Sequence, residues 1–461
     1  MGSRFSTRRA FLPILALAGF TLVQAAGIPQ TESGGARQTV RPGAPAGRTE
    51  ARQDDAELRR LVRSLRHFRS IGDRESALRI FARIFPMDAV VDPSVAAKTA
   101  VSPLSNRIEG TSASDKAVAG SDHSSPVFVS PEHEKNPSAD TRLSADGMAE
   151  IFTAAEQWSD GRPKDIRIRK SHDRGLTWLD TVALGDGHPW TDPSLRLLSE
   201  DAIGLAFVKD RDSDDGDIHF VRLSADLTAD AAFPVALSRS DQRSPSLVTD
   251  RAAYPEAYAY IAYAERTDAA SSVEFRVSPD FGASWSRAAT IDAFPLPEGT
   301  GAETAAAYDP DRNSLHVAYT RPQGTSTGIA VATSRDFGAS WSRPVFVTPA
   351  DGLADSSPRI AAAGGRVIVV YEHQTAAGPD IGSAHSRDSA RSWMKGANLA
   401  ASAAAERSPD VRASEGTGAP RFFASYIEEN ARVLVLRDEA SGAGIWTTEA
   451  VVEDGRASAA A

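Results

Sequence analysis

Cysteine is absent from this 461-residue chain. That removes disulfides, thiolate metal sites, cysteine nucleophiles and a lipidated N-terminal cysteine at one stroke. Positive charge is in deficit: 51 Lys and Arg face 61 Asp and Glu, leaving a net charge of −10. Binding nucleic acid over a broad surface needs clustered Lys and Arg, so no nucleic-acid partner is expected. Long apolar runs are missing too. The run from Pro13 to Leu22 is too short for a membrane span of about 20 residues. The histidines 172, 188, 219, 316, 373 and 385 show no His-x-x-x-His pairing, which disfavours a zinc or iron hydrolase. Aromatics are only 7% of the chain, yet four of its seven Trp stand in one recurring motif.

The N-terminus reads as an address. A basic start, a short apolar run and the small residues Ala25-Ala26 describe a removable export signal over residues 1–26. Arg8-Arg9 ahead of Phe11-Leu12 is similar to a twin-arginine signal, so the mature chain is expected in the periplasm or outside the cell. Residues 27–50 are rich in Gly, Pro, Ala and Gln and read as a disordered linker. Within 51–87, Leu58, Leu61, Val62, Leu65 and Phe68, then Leu78, Phe81, Ile84 and Phe85, fall at helical spacing on either side of Ile71-Gly72-Asp73. This predicts a helical hairpin with an arginine-rich outer face. It would either dock on an anionic partner or cap the next domain. Residues 88–120 return to linker composition.

From residue 121 to 461 the chain repeats itself. Ser171-His-Asp173-Arg-Gly175-Leu-Thr-Trp178 returns as Ser278-Pro-Asp280-Phe-Gly282-Ala-Ser-Trp285 and as Ser334-Arg-Asp336-Phe-Gly338-Ala-Ser-Trp341. A weaker copy, Ser386-Arg-Asp388-Ser-Ala-Arg-Ser-Trp393, has Ala in place of Gly, and Ser224-Ala-Asp226 is a degenerate one. A second series opens the repeats: Asn136-Pro137-Ser138, Asp192-Pro193-Ser194, Ser244-Pro245-Ser246, Ser357-Pro358-Arg359 and Ser408-Pro409-Asp410. In the fourth repeat Glu303-Thr304 stands where the Pro should be. Apolar runs such as Tyr258 to Tyr263 and Val367 to Tyr371 follow each opening. Short strands separated by turn chemistry, three or four per repeat, make antiparallel blades. Six repeats of 50 to 58 residues predict an all-β, six-bladed β-propeller. In the box itself Asp can bond amides across a hairpin, Gly accepts positive φ, and Trp can wedge between blades. The boxes are therefore read as scaffold.

Ser-x-Asp-x-Gly-x-Ser/Thr-Trp resembles the Asp box, or bacterial neuraminidase repeat, of the sialidase superfamily. The resemblance implies an arginine triad that clamps the sugar carboxylate, a Tyr nucleophile assisted by Glu, and an Asp acid/base. Glu303, with Arg321 18 residues on, is similar to the family's Glu and second arginine, and Asp160 lies in the loop of the acid/base. Elsewhere the pattern departs. Lys135-Asn136-Pro137 replaces the first triad Arg, Gln157-Trp158 follows Ala155-Glu156, and Arg407-Ser408-Pro409-Asp410 stands where the Tyr should open the last blade.

Arg243, Arg359 and Arg407 at the blade openings, with Arg321, could converge on an anion such as an acidic sugar, or tie blades together through Asp192 or Asp410. Asp210, Asp212 and Asp214 alternate as calcium ligands do, but the Gly falls one place late and no Glu closes the loop. No cofactor is implied; calcium is the one metal left open. The sequence thus points to an exported propeller that binds a glycan or surface protein without cleaving it. The alternative is a sialidase-type glycoside hydrolase with substituted catalytic residues.

Overall fold

The computed structural model describes residues 47–87, 134–144, 148–159, 161–173, 177–178, 180–210, 215–238, 240–254, 256–268, 270–295, 302–395, 398–400, 404–413, 420–428, 432–438, 446–453 and 456–459. The export signal, most of the first linker, the second linker, Asp160, Gly175, Asp212 and Asp214 lie outside them. The chain divides into two compact units, 1–53 and 54–461; among the described residues the first holds only the opening of helix α1.

Helices α1 (Gly47–Ser70) and α2 (Arg74–Ile84) come first, with Asp73 capping α2 by accepting the Ser76 amide. Among the described residues the remaining regular elements are strands, in six antiparallel sheets. The first holds β1 (Glu134–Leu143), β2 (Ala149–Ser159), β3 (Arg162–Ser171) and β4 (Asp180–Leu184). The second holds β5 (Trp190–Leu197), β6 (Ala202–Asp210), β7 (Gly216–Ser224) and β8 (Phe233–Ala236). The third has β9 (Asp241–Thr249), β10 (Ala259–Arg266), β11 (Ser271–Ser278) and β12 (Ala289–Phe294). The fourth has β13 (Thr304–Asp309), β14 (Ser314–Gln323), β15 (Ser326–Ser334) and β16 (Val345–Phe346). The fifth has β17 (Asp355–Ala363), β18 (Arg366–Gln374), β19 (Pro379–Ser386) and β20 (Met394–Lys395). The last has β21 (Glu406–Ala413), β22 (Phe422–Glu428), β23 (Arg432–Asp438), β24 (Trp446–Glu453) and β25 (Arg456–Ala459). The Trp446 segment thus supplies the fourth strand of that sheet; Val127 to Val129 lie outside the described residues.

Each strand runs beside the next in sequence, and the first strands of successive sheets touch. Side chains alternate between two buried faces. Val367, Val369 and Tyr371 of β18 enter the core toward the fourth sheet, while Ile368 and Val370 enter the core toward the last. That explains why these strands read as unbroken apolar runs: both faces are covered, so alternation decides which core a residue joins. The architecture is an all-β β-propeller.

Two devices join neighbouring sheets. The residue before each opening proline, Asn136, Asp192, Ser244, Ser357 and Ser408, has φ near +50° and sits in a β-bulge. The following serine then reaches across: Leu195 donates its amide to Ser138 Oγ (3.0 Å), Leu247 to Ser194 (2.9 Å) and Ala306 to Ser246 (2.8 Å). The fourth sheet, which lacks the proline, pairs without a bulge. In the boxes, Asp280 accepts Ser278 Oγ, the Ser284 amide and Ser284 Oγ at 2.8, 2.8 and 2.6 Å, and Asp173, Asp336 and Asp388 repeat the pattern. Trp285 meets Phe220 of the preceding sheet edge-on at 5.3 Å, and Trp341 meets Phe275 at 5.0 Å. The Trp wedge between sheets is thus visible in two copies.

α1 and α2 lie on the third and fourth sheets, sharing one core with Tyr258, Phe275 and Phe337. Their exposed arginines are largely matched by acids: Arg59 with Asp55, Arg79 with Glu75, Arg83 with Glu57 and Arg74 with Glu256.

Candidate functional site

Two clusters of charge lie along the first strands. The outer one surrounds the bulges. Glu156, on β2, is 1% exposed, and its Oε1 accepts the Asn136 side-chain amide and the Asp192 backbone amide, both at 2.7 Å. Its Oε2 accepts Trp158 Nε1 at 2.8 Å. Asp192 accepts the Ser244 amide at 3.3 Å, and burial beside Glu156 pushes its carboxyl up to about 6. The fourth and fifth sheets repeat the tie: Glu303 accepts the Ser357 amide, and Glu372 the Ser408 amide at 2.8 Å. A carboxylate of one sheet thus satisfies the strained opening amide of the next.

This arrangement gives the catalytic and anion-binding candidates other partners. Glu303 accepts the Thr320 amide through its carbonyl, so it stands opposite Thr320, and Arg321 faces the other side of the strand. Arg321 pairs with Asp292 at 3.0 Å, which also accepts the Tyr319 hydroxyl at 2.9 Å. Glu303 and Arg321 therefore do not form the pair that their spacing suggests. Burial raises the Glu303 carboxyl, while the Ser357 amide and Arg359 draw it back. Arg243 is held by Asp210 and by Asp241 at 2.7 Å. Of the calcium candidates, Asp210 is therefore engaged by Arg243, while Asp212 and Asp214 lie outside the described residues. Arg359 turns back onto the Pro358 carbonyl at 2.9 Å, and the Arg407 side chain is exposed, with no ion-pair partner among the described residues. Arg321 and the three blade-opening arginines thus take separate partners or none among the described residues, and do not share one.

The inner cluster was not singled out in the sequence. Three residues after the opening proline stand Asp140, Arg196, Val248, Ala361 and Arg412, a column that is apolar in two sheets and charged in three. Aligning the openings would have exposed it. Arg196 bonds the Leu195 carbonyl at 2.6 Å and feels the charges of Arg412, Asp140, Asp410 and Arg251. Arg412 pairs with Asp410 (2.9 Å), its neighbour on the same face of β21; Arg251 approaches Asp140 (3.6 Å) and bonds the Thr141 carbonyl (3.1 Å). Groups from the first, second, third and last sheets meet here, which happens only around the central axis. The Arg412 side chain is 47% exposed, so on the first strand of its sheet it faces the solvent-filled axis. Burial, and then Arg412, lower the Arg196 guanidinium to about 10. Guanidinia from three sheets, Arg196, Arg251 and Arg412, thus gather around Asp140 and Asp410, and forked donors of this kind suit a carboxylate or sulfate.

No family model matches the chain, and no curated protein matches its sequence. Solved structures do resemble it. An ulvan lyase, described as a new family of polysaccharide lyase, aligns at 10% identity over 69% of this chain and 85% of its own, with a TM-score of 0.50. The same lyase bound to -[GlcA(1-4)Rha3S]- gives 9%, 70%, 85% and 0.49. An Aleuria aurantia lectin mutant in complex with alpha-methyl-L-fucoside gives 13%, 70%, 98% and 0.42. At these identities the first likeness speaks for the fold alone.

Proposed function

We propose that this chain is an exported, six-bladed β-propeller that binds an acidic glycan in its central channel without cleaving it. Each of the six sheets is read as one blade. The Ser-x-Asp boxes support kinship with the sialidase superfamily, and Arg8-Arg9 supports export to the periplasm or beyond. The observation that carries the reading is the channel cluster, in which guanidinia from three sheets, Arg196, Arg251 and Arg412, gather around Asp140 and Asp410. Solved neighbours that act on or bind polysaccharides and sugars fit the same ligand class. Titration calorimetry with a polyuronate oligomer tests it. Binding that weakens with salt, exceeds binding of a neutral analogue and falls at least tenfold in Arg412→Ala is expected. Equal affinity for the neutral analogue, or none for either, overturns it.

Sialidase-type hydrolysis has one observation in its favour. Asp192, raised to about 6 beside Glu156, is in the range of a general acid at neutral pH. Turnover of a fluorogenic sialoside, with or without calcium, that disappears in Asp192→Asn would establish it. No turnover above a heat-killed control removes it.

A further inference from the structure

A cavity of about 350 Å³ opens between the second and third sheets, away from the channel. Its walls come from the β5–β6 turn (Ser199 and Asp201), the end of β7 (Arg222), the β7–β8 turn (Asp230) and the third-sheet box (Phe281). The space exists because of local sequence. The second repeat carries only the degenerate box Ser224-Ala-Asp226-Leu227-Thr228, a shorter turn than its neighbours make. Phe281, at φ +58° in the full box of the third sheet, borders the gap that results.

The next interface shows what such a groove holds when it is filled. Phe337 is the counterpart of Phe281 in the fourth-sheet box, and it is 2% exposed. The guanidinia of Arg66 and Arg69, from α1, cover its ring at 5.7 and 5.3 Å. No described residue covers Phe281 in that way. In its place stand polar groups with unused capacity. Arg222 pairs with Asp230 through Nε at 2.8 Å, and among the described residues its two Nη groups make no bond. Asp201 uses its backbone amide on Ser199 Oγ (3.2 Å) and its carbonyl on the Ala225 amide (3.1 Å). Its carboxylate has no partner among the described residues.

An aromatic face beside a forked donor and a carboxylate acceptor, in a cavity of ligand size, recognises one kind of molecule well. It suits a ring with an apolar C–H face and several hydroxyls. The geometry points to a second carbohydrate site here, for one pyranose unit of a neutral glycan, stacked on Phe281 with its hydroxyls shared between Arg222 and Asp201. The site rests on the carbohydrate reading of the propeller but not on the channel cluster.

Saturation-transfer NMR on the full chain with a panel of neutral methyl hexosides tests it. At least one hexoside is expected to show transfer that falls to background in Arg222→Ala and in Asp201→Ala and is retained in Arg412→Ala. Both changed side chains are on the surface, so a thermal melt is expected to show folded protein; Phe281→Ala, which disturbs packing, serves only as a third variant. Transfer that survives both rim variants and vanishes in Arg412→Ala places the sugar in the channel and overturns the rim site while sustaining the carbohydrate reading. No transfer from any hexoside to the intact chain overturns the rim site, and the polyuronate titration then judges the channel independently.

Discussion

Arg69 and Asp250 form a two-pronged ion pair, 2.6 and 3.0 Å, with side chains 3% and 0% exposed. It joins the last turn of α1 to the end of β9. Asp250 also accepts the Tyr258 amide and the Tyr260 hydroxyl, both at 2.7 Å, while Arg69 stacks on Tyr254 and Tyr258 at 3.8 and 3.5 Å. Burial alone would lower the Arg69 guanidinium, but the Asp250 charge and hydrogen bonds raise it overall, so it stays charged. Removing one partner strands the other in the core. Asp250→Asn or Arg69→Ala is expected to cost roughly 3 to 5 kcal/mol in urea unfolding. Arg69→Met combined with Asp250→Asn should cost less than the sum of the two single changes, because the pair is lost only once and Asn keeps an acceptor for the Tyr258 amide.

The boxes allow a paired test of backbone strain. Gly338 has φ +92°, and a Cβ there would lie 2.0 Å from Phe275 Cε1. Gly338→Ala therefore both strains the turn and pushes the ring that Trp341 packs on, and a loss of several kcal/mol is expected. In the weaker box Ala390 already sits at φ +64°. Ala390→Gly relieves about 1 kcal/mol of left-handed strain, so it should raise the unfolding midpoint.

Serine in the openings makes a third prediction. Ser194 Oγ accepts the buried Leu247 amide across the sheet boundary. Ser194→Ala leaves that amide unpaired and should cost roughly 1 to 3 kcal/mol. Hydrogen exchange at Leu247 should quicken more than at Ala306, whose acceptor is Ser246.

Much of this was legible because repetition turns local chemistry into a count. The boxes showed where the third strands of the first five sheets end, and the prolines showed where the first strand bends in every sheet but the fourth. The role of Glu303 was not legible, because spacing along the chain does not say which face of a strand a residue takes. Glu303 lies opposite Thr320, so its 18-residue separation from Arg321 carries no contact. The channel cluster was missed for a related reason. Arg196 and Arg412 sit in different repeats, and only closure around an axis brings them together.

Two buried groups give stability opposite slopes with pH. His316 is fully buried between Ser314 Oγ (3.0 Å) and Thr333 Oγ1 (2.9 Å), and burial lowers it to about 3. The unfolded chain binds that proton more readily, so stability is lost as pH falls from about 6.5 toward 3. Asp192 is raised to about 6, so the folded chain binds its proton more readily. Its contribution is complete below about pH 4 and is lost as pH rises through 6. Asp192→Asn keeps an acceptor for the Ser244 amide and should stabilise the fold at pH 7, by at most about 3 kcal/mol, with no gain at pH 4. Urea midpoints at the two pH values check both slopes.

Arg196 sets stability against binding. Its guanidinium is lowered to about 10 by burial and by Arg412, so holding it charged at pH 7 costs the empty protein at most about 3 kcal/mol. An acidic ligand would offset that cost by placing a negative charge beside the Arg196 and Arg412 guanidinia. Arg196→Met keeps the length of the side chain and discards the charge, so the ligand-free protein should unfold at higher urea than the parent. The same variant should bind a polyuronate oligomer at least tenfold more weakly, with a shallower dependence on salt. A variant that is less stable when empty would show that Asp140 and Asp410 already offset the cost of the charged Arg196, and that a ligand gains nothing by neutralising it.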